Sequence, residues 1–191
     1  YFNAMDDDPQ KVIEEAIADG NTVLFTTSPR LLPASLRAAI DHPDIIILNC
    51  SLNKSHRYIR TYYARMYEAK FIMGAIAGSL AGGNHVGFIC DYPIFGQVAG
   101  INAFALGVQM TNPRSKVYLD WSAVGSIAAA TKRLTDQGIC LISSIDLPKQ
   151  GEKDPRFGLS LVNGEKQVNL AIPLWKWGAY YEQILRQIRD R

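Results

Sequence analysis

The sequence has 191 residues, 48% of them hydrophobic and 20% charged, so it can bury one ordinary core or two small lobes. Its formal net charge of +2 leaves no large basic footprint for nucleic acid. The apolar stretch from Phe71 to Gly83 is too short to span a bilayer and is rich in Gly and Ser.

In chain order, Asp8-Pro9 supplies an N-cap and a first helical residue, and Val12, Ile13, Ala16 and Ile17 form the apolar stripe of a helix ending at Asp19-Gly20. A strand over 22–26 delivers Thr26, Thr27 and Ser28 at its carboxyl end. Ser28-Pro29 repeats the cap signal for a helix through Ile40, and Asp41-His42-Pro43 breaks it. Ile45 to Leu48 is a buried strand that ends at Asn49-Cys50-Ser51. This alternation predicts a parallel sheet with helices on its faces.

After the basic run 52–60, Tyr58 to Tyr63 alternates like an extended segment, and 66–80 reads as a helix. The spacing of Gly74, Gly78 and Gly82 lacks the strand and the Gly-Lys-Ser/Thr triplet of a phosphate loop, and fits close helix packing instead.

Residues 86–121 read strand, turn, helix, Asn-Pro stop, strand. Val86 to Cys90 is an apolar strand; Ile101, Phe104, Ala105 and Val108 repeat at helical spacing; Asn112-Pro113 stops the helix; a second strand runs from Val117 to Asp120-Trp121. Such a βαβ unit places ligands outside the carboxyl ends of its strands, where Asp91, Tyr92, Phe95 and Trp121 fall.

Further on, the pattern predicts a helix over 126–136, a strand over 139–143 ending in Ser144-Ile145-Asp146, a charged loop over 147–155, and two short strands around Asn163-Gly164. The last helix, from Trp177, carries the stripe Tyr180, Tyr181, Ile184, Leu185 and Ile188.

The run Val86-Gly-Phe-Ile-Cys-Asp-Tyr-Pro-Ile94, then Gly100-Ile-Asn-Ala-Phe-Ala-Leu-Gly107 and Thr111-Asn-Pro113, resembles the basic membrane protein (BMP) family of substrate-binding proteins. Tyr67 to Gly78, Leu134 to Gly138 and Leu174 to Tyr181 agree in the family's order. That family includes bacterial lipoproteins that feed purine nucleosides to ABC transporters.

The resemblance implies an α/β, two-lobed periplasmic-binding-protein-like (type I) fold, with parallel sheets flanked by helices and the first lobe incomplete. It implies 1–57 as the later part of the first lobe, 58–172 as the second lobe, and 173–191 as a return hinge and closing helix on the first. On the usual size of two domains, about a quarter to a third of the protein would lie outside this sequence. The implied partners are a nucleoside-like small molecule and an ABC transporter permease, or the missing amino-terminal part of the same protein.

Two departures from the family pattern alter the cleft on the second-lobe side. Ser122 to Gly125 replaces a longer loop bearing a second Trp and an Asp-Pro, and the charged loop before Phe157 replaces a helix.

The candidate ligand residues are Thr27, Ser28, Asn49, Asp91, Tyr92, Phe95, Trp121, Asp146 and Trp175. Tyr92, Phe95 and Trp121 offer planar stacking surface; Asn49, Asp91 and Asp146 offer hydrogen bonds to ribose or base edges; Thr27 and Ser28 stand at a helix start. Each also has a structural reading: the aromatics cover the sheet end, Asp146 caps a turn, and Trp175 and Trp177 fill a hinge.

The sequence holds no catalytic motif, asks for no cofactor and shows no metal-ligand spacing, so it points away from an enzyme. Cys50, Cys90 and Cys140 lie in or beside strands and are expected to be buried free thiols, which suits a reducing compartment. Tyr1 to Gln10 is acidic without an apolar core, so neither signal nor lipid-bearing Cys is seen. The family resemblance implies the cell envelope; the thiols favour a cytoplasmic ligand-sensing module on the same fold.

Overall fold

The structure, a computed structural model, describes residues 8–51, 56–91, 93, 95–144 and 158–190. Its chain falls into two compact units, Tyr1–Ala64 and Arg65–Arg191.

In the first unit, helix α1 (Pro9–Ala18) starts as its sequence predicts. The Asp8 carboxylate accepts from the Gln10 N–H, and proline sits where no donor is needed. Strand β1 (Val23–Thr26) pairs in parallel with β2 (Ile46–Cys50), which pairs in parallel with β3 (Arg60–Tyr62).

Between β1 and β2, the expected single helix is two pieces. A 3-10 turn over Pro29–Leu31 precedes α2 (Leu32–Asp41). Pro33 has no N–H to return to the Pro29 carbonyl; that carbonyl takes the Leu32 N–H instead, which tightens the first turn. Ile13, Ala38, Ala39, Ile47 and Ile59 form this unit's buried core. On the opposite face, Phe25 and Tyr62 meet edge to face with ring centres 6.3 Å apart.

The second unit is a five-stranded sheet in the order β5-β4-β6-β7-β8. Strands β4 (Val86–Cys90), β5 (Val117–Trp121) and β6 (Leu141–Ser143) are parallel. Strands β7 (Leu159–Asn163) and β8 (Lys166–Ala171) continue the sheet as an antiparallel hairpin on its β6 side. Asn163 pairs with Lys166, so the turn is Gly164-Glu165, one residue later than the Asn-Gly signal suggested; Gly164 has φ +60 there.

Strand β4 is buried along its whole length. Val86, Phe88 and Cys90 face the core formed with α3 (Met66–Leu80) and α4 (Phe95–Thr111). Ile89 faces the other core, formed with α5 (Ile127–Thr135).

Helices α3 and α4 meet through glycine, as the small-residue spacing anticipated. A methyl group on Gly74 would stand 2.1 Å from the Phe104 carbonyl oxygen, and one on Gly107 only 2.0 Å from that of Phe71. Helix α6 (Trp177–Arg189) closes the chain with no fully buried residue. Among the described residues no helix is long and apolar enough to cross a membrane.

Candidate functional site

Where parallel strands end, side chains and backbone groups no longer engaged in the ladder gather at one sheet edge. In the second unit that edge is formed by Cys90, Trp121 and Ser143, the last residues of β4, β5 and β6.

Asp91 follows β4 directly and accepts a hydrogen bond from the Ser122 hydroxyl, while the Ser122 N–H donates to the Cys90 carbonyl at 2.8 Å. Two bonds thus tie the segments leaving β4 and β5, and fix the Asp91 carboxylate between them. Trp121 is half-buried and packs against the core formed with α3 and α4. Beside it, Arg133 grips both oxygens of Asp120 at 2.6 and 2.9 Å and reaches the Trp121 carbonyl at 3.4 Å. That guanidinium holds the Asp120 carboxyl below its ordinary range, mainly through the hydrogen bond.

Sequence reasoning missed Lys70. It sits on the sheet-facing side of α3 at 4% exposure, among Met73, Gly74 and Ala77. Its ammonium lies 5.2 Å from the centre of the Phe88 ring and donates to the Ser144 carbonyl at 3.3 Å and the Ser143 hydroxyl at 3.5 Å. A charge placed at helical spacing with core residues was the available signal. The Ser144 hydroxyl is itself buried, with no hydrogen-bond partner among the described residues.

The first unit's strand ends present Thr27, which is exposed, and Ser28, whose side chain accepts from the Arg30 N–H at 3.3 Å. Asn49 is turned inward and fully buried. Its amide donates to the Thr26 hydroxyl at 2.8 Å and the Ser28 carbonyl at 3.0 Å, and the Ser35 hydroxyl completes the cluster by donating to Thr26 at 3.0 Å. Asn49 therefore fixes the turn that carries Thr27 and Ser28.

Trp175 is half-buried, its ring centre 5.8 Å from that of Trp177, which stacks on Tyr181 at 5.9 Å. Tyr92 and Asp146 lie outside the described residues; Phe95 opens α4, and its side chain lies outside them too.

The thiols correct one expectation. All three are free, but only Cys90 is buried; Cys50 is half-buried and Cys140 is exposed, since it precedes β6 rather than joining it. Burial pushes the Cys50 thiol up. Among the described residues no group of three His, Cys, Asp or Glu side chains could hold a metal ion.

The chemistry assembled at these strand ends is hydrogen bonding and ring contact, suited to holding a polar molecule. The chain is 31% identical over 195 residues to the "Purine-binding protein BAB2_0673" of Brucella abortus, covering 96% of this chain and 56% of that protein. It is 24% identical over 197 residues to the "Putative ABC transporter glucose-binding protein TsgA13" of Haloferax volcanii, covering 96% of this chain and 50% of that protein. The chain thus spans about half the length of these curated relatives.

Among solved structures, an ABC transporter solute-binding protein from Conexibacter woesei matches with TM-score 0.59 at 18% identity, over 74% of this chain and 50% of that one. A transcriptional activator of the comK gene from Bacillus halodurans matches with TM-score 0.61 at 16% identity, over 73% of this chain and 50% of that one. At these identities both likenesses show the fold alone, and they agree with the expected periplasmic-binding-protein-like architecture. The profile of the family described as "ABC transporter substrate-binding protein PnrA-like" matches residues 2–141, and the chain belongs to this Bmp family.

Proposed function

We propose that this chain is part of a solute-binding protein that serves an ABC transporter of the cell envelope and captures a small polar, nucleoside-like ligand without covalent chemistry. The observation that carries the reading is the group at the ends of β4, β5 and β6: a carboxylate fixed by Ser122, the Trp121 indole and a buried ammonium, in a member of the Bmp family. Asp91 accepts from ribose hydroxyls or a base edge, and Trp121 supplies ring contact. Thr27 and Ser28, on a turn that Asn49 holds, remain sequence-based candidates on the first unit. The sequence-based assignments of Tyr92, Phe95, Asp146 and Trp175 complete the proposed set.

The name of the Brucella relative supports a purine-containing ligand, and that of the Haloferax relative supports testing sugars beside it. In a thermal-shift screen of the full-length protein, purine nucleosides at a hundredfold their dissociation constant should stabilise it by about 2.7 kcal/mol. Trp121→Ala should weaken binding by about 1–3 kcal/mol, the usual worth of a base stacked on an aromatic side chain. Asp91→Asn, which keeps the side chain's shape, should weaken it as well. A shift with sugars alone would reassign the ligand; normal nucleoside binding by both variants would move the site elsewhere.

The three free thiols, one of them exposed, favour a second reading: a cytoplasmic ligand-sensing module on the same fold. Fractionation of cells producing the full-length protein separates the two, since an envelope protein partitions with the membrane or the extracytoplasmic fraction.

A further inference from the structure

A groove of about 730 Å³ opens in the first unit, lined by Pro43, Ile46 and Tyr58 together with His56, Arg57 and Arg60. It exists because β1 pairs with β2 from Ile46 onward, whereas β3 joins β2 only from Leu48 and Arg60, so the two chains diverge at their amino ends. The groove therefore lies away from the strand carboxyl ends, apart from the site described above.

Its chemistry is one-sided. Neither Arg57 nor Arg60 has an ion-pair partner among the described residues, and no acidic side chain lines the groove. The Arg57 guanidinium lies over the Tyr58 ring, 5.5 Å from its centre, which orients the fork while leaving its N–H edges available. The His56 Nδ1 accepts from the Tyr58 N–H at 3.3 Å, an arrangement that leaves Nε2 as the donor. The His56 and Tyr58 rings stand 6.1 Å apart, and Tyr58 is 48% exposed. Two arginines and a histidine thus line a volume within the usual range of small-molecule sites.

We infer that this groove binds a small polyanion bearing phosphate or carboxylate groups. The shared chemistry is a pair of anionic oxygens received by paired N–H donors beside the Tyr58 ring. The nucleoside-like ligand proposed above is uncharged and plays no part in this inference.

The test is calorimetric titration of the full-length protein with pyrophosphate and, separately, with citrate, each at 50 and 200 mM salt. Wild-type protein is expected to bind at least one of them, more weakly at the higher salt, and the relative affinities distinguish phosphate from carboxylate as the natural group. Arg57→Gln/Arg60→Gln should lose tenfold or more in affinity with an unchanged melting temperature, because both side chains are exposed. Arg186→Ala/Arg189→Ala on α6, which removes the same formal charge from residues that do not line the groove, should bind as wild type. If neither anion binds at 10 mM (roughly the weakest affinity expected of a specific site), or if the α6 variant loses as much as the groove variant, the inference is wrong.

Discussion

At the scale of single residues, direction matters more than identity. Asn49 sits at a strand end, as a ligand-contacting residue should, yet both of its amide hydrogen bonds run inward to Thr26 and Ser28. Asp120 and Asp91 are acids near neighbouring strand ends with different partners. Asp120 is held by Arg133, while Asp91 is held by a serine hydroxyl and keeps acceptor capacity. Because the folded state depresses the Asp120 pKa, the pair's contribution is present above the ordinary carboxylate pKa and is lost as pH falls through the lower folded-state value. Arg133→Ala should therefore lower the urea midpoint at pH 7, and its deficit against wild type should shrink in acid. A deficit that stays constant from pH 7 to pH 2 would mean that Arg133 acts through packing of its stem. The sequence identifies Asn49 and Asp91 as chemistry-bearing, but which of them turns inward depends on strand register, which no local pattern encodes.

At the scale of elements, the helices and strands were largely legible, because α1 and α6 carry clear apolar stripes and caps or breaks such as Asp8-Pro9 and Asn112-Pro113 mark where helices start and stop. The 3-10 start before α2 was not read, although its cause, Pro33, stands in the sequence. Lys70 was passed over because helical periodicity was counted on apolar residues, and a buried cation at the same spacing does not register in such a count. The α3–α4 seam gives a direct test. On Gly107 a methyl group would meet the backbone of Phe71 and Ala75, which cannot swing away as a side chain does. Gly107→Ala should cost about 1–3 kcal/mol or more in chemical denaturation, the range of an overpacked core. Gly138→Ala, where nothing lies within 4 Å but φ is +77, should cost less, through backbone conformation alone. Equal losses would mean that the helices can separate to admit the methyl.

At the scale of the molecule, the two units differ in what holds them. Among the described residues the first has one core cluster, of five buried residues, Ile13, Ala38, Ala39, Ile47 and Ile59. The second has a core on each face of its sheet, with β4 buried between them. Smaller cores open more readily. In hydrogen exchange on the 191-residue chain, amides of β1 and β2 should therefore exchange faster than those of β4 and β6. Equal protection would mean that the two units unfold as one. The division after Ala64 was not deducible from periodicity, which reports each element's exposed face and says nothing of where compact units divide.

The glycine seam between α3 and α4 limits how this protein can be altered. Backbone touches backbone there, so neither helix can shift to accommodate a new side chain, and the floor beneath the strand ends behaves as a fixed plate. A change of ligand by evolution or by engineering is then best made in the short segments leaving the strands, such as the exposed Ala123 to Gly125. The segment after Trp121, shorter here than in the family pattern, is the natural place to graft a longer loop and read out a new binding preference without disturbing the fold.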